Sequence, residues 1–168
     1  MIGDRWGVTD PEVRRHYACD DLVAEPTLQA WRGVDVAADA GTVWRCVVQI
    51  RLAPYSYDWL DNLGRRSPRS LAAVPVPRAG DPFTVALGRP RGRIVSVDAD
   101  GAERQLTATI MGAFLSYVVV PGDPGPTRLL LKVVARTGRW VAPVLSIGDL
   151  VMARRQLLNL GRLAEHEG

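Results

Sequence analysis

The cleanest alternation of hydrophobicity in the chain runs from residue 128 to 136. Leu129, Leu131, Val133 and Ala135 share one parity, while Arg128, Lys132 and Arg136 share the other. A strand of period two buries one face and wets the other, so this run predicts a sheet lying on a core, with its second face in water. The C-terminal stretch can supply that core's other wall. Leu150, Ala153, Leu157, Leu160 and Ala164 fall along one side of a helix that Ser146 or Asp149 can cap and that reaches about residue 164. Sheet first and amphipathic helix last is an α+β arrangement.

The rest of the chain extends the pattern. Strand-like runs at residues 83–87, 93–97, 104–111 and 114–120 precede the alternating segment. Turn signals separate them: Asp98-Ala99-Asp100-Gly101, a bulge or bend at Gly112, and the rigid loop from Pro121 to Pro126. An antiparallel meander follows. Upstream, residues 30–37 alternate as a strand, and Asp39 is placed to cap a helix whose stripe is Val43, Cys46, Val47 and Ile50. Pro54 interrupts it, and a second short helix is expected from about Tyr55 to Leu63, where Gly64 ends it. Residues 1–29 lack periodicity and read as an N-terminal arm, which Trp6 and Leu22 can pin to a domain spanning 30–168.

Composition removes several functions. The chain has 168 residues, enough for one domain with a real core, and a formal charge of only +3. Its basic residues are dispersed among nearly as many acids, which disfavours a nucleic-acid partner. The first ten residues carry two acids and no apolar run, and no stretch approaches the roughly 18 apolar residues of a membrane span. A cytoplasmic location is therefore expected. The two cysteines, Cys19 and Cys46, are too few for a disulfide scaffold, and Cys46 reads as core. No cofactor is expected: Gly-x-Ser-x-Gly, phosphate-loop and dinucleotide fingerprints are missing. No metal is expected either, because the cysteines and histidines lack ligand spacing.

Chemistry concentrates after Pro54. Tyr55 and Trp59 stand four apart and Asp58 three from Tyr55, so on a helix two rings and a carboxylate share a region. Packing alone would also account for them. If the segment is catalytic, Asp58 and Tyr57 or Tyr55 are the acid-base candidates, since burial raises a carboxyl pKa and a phenol can donate to an enolate. Thr107, Thr109, Ser116 and Tyr117 can offer hydroxyls from the strands, in a register the sequence leaves open. Phe114 and Met152 read as wall or core, and Arg65, Arg66 and Arg69 can clamp an acidic ligand.

The order strand, two short helices, meander and long terminal helix resembles the helix-grip fold of the SRPBCC superfamily, which includes START lipid-transfer proteins and polyketide cyclases. The residues carrying the resemblance are Val34-Asp35-Val36 leading to Val43-Trp44, Tyr55-Ser56-Tyr57-Asp58-Trp59-Leu60, Gly80-Asp81, Thr127-Arg128-Leu129-Leu130, and the stretch from Met152 to Leu160. They look like a bacterial subgroup of uncharacterised members. The resemblance implies a curved sheet gripping the last helix around a cavity for a lipid- or polyketide-like molecule, near Tyr55, Trp59, Arg69, Thr107, Phe114, Ser116 and Met152. A cyclase or aromatase using Asp58 and Tyr57 is the enzymatic alternative. A co-chaperone-like module that binds a protein on its sheet is the non-catalytic one. A flavin-binding split barrel is the competing fold.

Overall fold

The computed structural model describes residues 4–55, 70–86, 88–136 and 142–168, with the helix backbone alone for residues 142–151. Twelve residues of the N-terminal arm lie in short elements: β1 (Arg5–Trp6), α1 (Asp10–Arg14) and a 3-10 turn (Ala18–Leu22). The body follows as β2 (Leu28–Val36), α2 (Ala40–Val48), β3 (Pro82–Ala86), β4 (Arg89–Asp98), β5 (Arg104–Ile110), β6 (Ala113–Val120), β7 (Thr127–Ala135) and α3 (Ala142–Glu167). The seven strands form one open sheet in the order β1-β2-β7-β6-β5-β4-β3, antiparallel except for β1 on β2. This is an α+β helix-grip fold with α3 laid on the sheet.

Local chemistry explains the elements. Asp39 is extended and its carboxylate accepts from the Thr42 amide at 3.0 Å, so α2 starts where the cap was expected. The Met111-Gly112 pair joins β5 to β6 with both residues at positive φ, +51° and +80°. That is a two-residue hairpin turn matched to strand twist, rather than the bulge or bend anticipated at Gly112. The terminal helix begins at Ala142, so Ser146 and Asp149 fall inside it and neither is its cap. Tyr55 stands at φ +57°, a left-handed residue, so no helix begins on it. The remainder of the expected second helix lies outside the described residues.

Register assigns the residues of β2, β5, β6 and β7 to faces. The inner face has four cross-strand rows: Val34, Leu129 and Val119; Arg32, Leu131, Tyr117 and Leu106; Ala30, Val133, Leu115 and Ala108; Leu28, Ala135, Ala113 and Ile110. Against it pack α2, through Val43, Cys46 and Val47, and α3, through Ala153, Leu157, Leu160 and Ala164. Among the described residues α3 rests chiefly on β2 and α2. It runs antiparallel to β2, with Gly161 at Val36 and Arg154 over Trp6, the partner of Arg32. No helix among the described residues is long and apolar enough to cross a membrane.

Over β6 and β7 the outer face does not meet water as alternation predicted. The arm covers it: Tyr17 and Cys19 pack on Val118, Leu130 and Val134. Lys132 is buried, its ammonium 2.5 Å from Asp20 Oδ1 and over the rings of Trp31 and Tyr17. Burial pushes the Cys19 thiol up to about 11 and Cys46 to about 12, so both are protonated, unreactive core groups near neutral pH. Arg128 holds the arm from the sheet, donating to both Glu12 carboxylate oxygens at 2.8 and 2.9 Å, to Asp35 at 3.2 Å and to the Gly7 carbonyl. Where the arm crosses at Gly7, an added Cβ would lie 2.2 Å from the Gly33 carbonyl, which only glycine avoids.

The Arg128 hydrogen bond holds the Glu12 carboxyl below its ordinary value. A carboxylate depressed in the folded state contributes stability above its unfolded pKa of about 4.3 and loses it as pH falls through the folded value. Glu12→Gln should therefore lower Tm at pH 7 and flatten its decline between pH 5 and pH 3, read by thermal melts across that range. Parallel wild-type and variant curves would show that the clamp carries none of the acid sensitivity.

Candidate functional site

The two ends of the inner face differ in side-chain size. The Arg32 and Val34 rows carry bulky residues, whereas the two rows at the far end hold four alanines, Ala30, Ala108, Ala113 and Ala135, among Leu28, Val133, Leu115 and Ile110. Gly92 lies against this wall, where an added Cβ would sit 2.5 Å from the Thr109 carbonyl oxygen and close on Ile110 and Phe83. Ile110 and Ala113 remain only half-buried, although they pack on the core. These small side chains make this the less bulky end of the wall, a surface of the kind an apolar guest can lie against.

A polar belt separates this end from the packed one. Tyr117 Oη donates to Gln156 Oε1 at 2.5 Å, and Gln156 Nε2 donates to the Pro54 carbonyl at 2.5 Å. Asn159 Nδ2 donates to the Tyr55 carbonyl at 2.9 Å, holding that residue in a conformation costing about 1–3 kcal/mol. One helix face thus fixes β6 and the turn that leads into residues 56–69. From the other side Gln49 donates to Tyr55 Oη at 2.5 Å and to the Ser70 carbonyl at 2.9 Å, and accepts from the Ala72 amide at 2.8 Å. Both ends of that segment are therefore tied to fully built elements. Arg32, wholly buried in the same row as Tyr117, donates to the carbonyls of Asp4 and Trp31 at 2.7 and 2.8 Å.

The predicted site residues divide into three groups. Tyr57, Asp58, Trp59 and Arg69 lie outside the described residues. Tyr55 is a buried core residue beside the belt, and Met152 is half-buried one turn before Gln156, so the two share a helix face. Thr107, Ser116 and Phe114 stand on the outer face and cannot line a space beneath α3. Thr107 and Ser116 hydroxyls bond each other at 2.8 Å, and Ser116 accepts from the Cys19 amide at 3.0 Å, while Phe114 joins the arm's cluster. The period of two put Ser116 and Tyr117 on opposite faces, and the arm, not a ligand, took the Ser116 side. Gln156 and Asn159 were missed, although a polar pair at i and i+3 interrupting an apolar stripe is a readable signal.

Among the described residues, two open depressions lie away from this end. One of about 710 Å³ is bordered by Ala38, Asp39, Pro121, Gly122 and Thr127, at the opposite end of β2 from the alanines. A smaller one of about 380 Å³ lies between α2 and residues 71–76. Neither gathers any predicted site residue. Among the described residues no group of three metal-ligating side chains occurs.

An open, mostly antiparallel sheet holding a long C-terminal helix is the helix-grip arrangement. Solved structures agree. A hypothetical protein from Helicobacter pylori superposes with TM-score 0.58 at 12% identity, over 89% of this chain and 95% of its own. A polyketide-cyclase-like protein from Corynebacterium glutamicum gives 0.50 at 15% identity, over 85% and 94%. A protein from Nitrosomonas europaea gives 0.51 at 13%, over 85% and 97%. No family model matches the sequence, and no curated protein does. At these identities the likeness is one of fold.

Replacing Gln156 by Leu should cost about 1–3 kcal/mol, because it strips a partner from both Tyr117 and the half-buried Pro54 carbonyl. Tyr117→Phe deletes one bond and should cost less. Chemical denaturation of both variants checks the order; equal losses would mean that the Pro54 bond contributes nothing.

Proposed function

We propose that this protein binds a hydrophobic small molecule, lipid- or polyketide-like, between the alanine-rich end of its sheet and the first half of α3. The observation that carries the proposal is the size contrast along the inner face: four alanines stand in its two far rows, where the other rows carry bulky residues. The polar belt of Tyr117 and Gln156 supplies the few directional groups that a pocket for an apolar guest ordinarily has at its base. Met152 contributes from the helix face that carries Gln156. Tyr57, Asp58, Trp59 and Arg69 are further ligand contacts in this reading. The superfamily that the sequence resembles encloses apolar molecules in the corresponding space.

Native mass spectrometry of freshly purified protein should detect a retained small molecule, and where the pocket is isolated empty, titration with the neutral fluorophore N-phenylnaphthylamine should saturate. The double variant Ala113→Leu/Ala135→Leu should weaken either interaction about ten-fold or more by filling the space. Trp59→Ala should weaken it without moving Tm. Undiminished binding by the filled variant would place the ligand elsewhere and defeat the proposal.

A further inference from the structure

The rim of the alanine-rich end carries a surface that ligand binding does not use. Along β4, Arg89, Arg91 and Arg93 alternate with Pro90 and Gly92, so three guanidinium groups crowd one edge of the sheet. All three are exposed, as is Arg136 just beyond β7, and among the described residues none of the four has an ion-pair partner. Carboxylates are missing from the strands around them: residues 82–97, 104–122 and 124–148 contain no Asp or Glu. The flanking acids are Glu25, before β2, and Asp81, which Arg51 already engages at 3.2 Å.

Beside this basic face stands an apolar tip. Arg93 pairs with Thr109, and continuing that register places Arg91 next to Met111. Met111 is 101% exposed, at the point of the tight β5–β6 turn. A large apolar side chain held wholly in water on a tight turn, next to exposed arginines, fits an interface that offers anionic headgroups around an apolar interior. The residues on either side of that turn, Ile110 and Ala113, are the half-buried ones of the inner face. Basic face, apolar tip and proposed pocket end therefore share one rim.

We infer that this rim docks on an anionic lipid surface, with Arg89, Arg91, Arg93 and Arg136 against headgroups and Met111 entering the acyl boundary, so that the pocket end faces the bilayer. Docking stands on the rim residues alone; only the delivery of an apolar ligand through it rests on the function proposed above. Nucleic acid shares the charge but offers nothing to Met111.

Vesicle sedimentation with the purified full chain tests the inference. The protein should partition onto vesicles containing phosphatidylglycerol, release as salt is raised, and ignore vesicles of phosphatidylcholine alone. Arg91→Gln/Arg93→Gln should weaken partitioning about thirty-fold, from two headgroup contacts. Met111→Ser should weaken it about ten-fold with Tm unchanged. No partitioning onto anionic vesicles, or partitioning indifferent to Met111→Ser, overturns the inference, as does preferential capture of an RNA duplex over the vesicles. The filled variant Ala113→Leu/Ala135→Leu should still sediment, so loss of ligand binding and loss of docking are read separately.

Discussion

The fold depends on covering its central strands from both sides. Strand β7 is buried along almost its whole length, with Leu129, Leu131 and Val133 under the helices and Leu130 and Val134 under the arm. Hydrophobic area of that extent is favourable only if both faces are removed from water. The two cations on the outer face make the arrangement specific. Arg128 draws Glu12, Asp35 and the Gly7 carbonyl to one point, while Lys132 draws Asp20 across two rings. A buried ion pair adds little net stability, but one whose partner is withdrawn is costly, so these pairs fix where the arm lies.

With the outer face of β6 and β7 taken by the arm, the proposed binding space lies under α3. There the packing is uneven. The helix presses on β2 and α2, and Gln156 and Asn159 reach from it to β6 and to the turn at residues 54–55. Beyond that belt the sheet offers alanines. The same end of the molecule carries the Met111 turn and the basic face of β4, which gives the proposed pocket and the proposed membrane contact a common direction.

Much of the scaffold was legible because it follows from period and punctuation. Asp39 capped α2, the alternation through residues 128–136 located β7, and the apolar stripe from Ala153 to Ala164 identified the helix that packs on the sheet. The site was less legible. A period of two says that Ser116 and Tyr117 face opposite ways, yet nothing local says which faces the helix; that was decided by where the arm went, a contact 97 residues away in sequence between Cys19 and Ser116. Lys132 looked like a solvated strand residue for the same reason. The alanine rows were hidden because each row draws on strands far apart in sequence, and cross-strand register is what brings Ala30, Ala108, Ala113 and Ala135 to one end.

The central claim is that the space at that end, beneath the helix, receives an apolar molecule. Methyl-resolved NMR during titration with N-phenylnaphthylamine tests it most directly, because the two faces of the sheet carry separate reporters. The account predicts shifts at Ala108, Ile110, Ala113, Leu115, Val133 and Ala135, with Val118, Leu130 and Val134 unchanged. Shifts confined to the outer three, or spread equally over both faces, would contradict it.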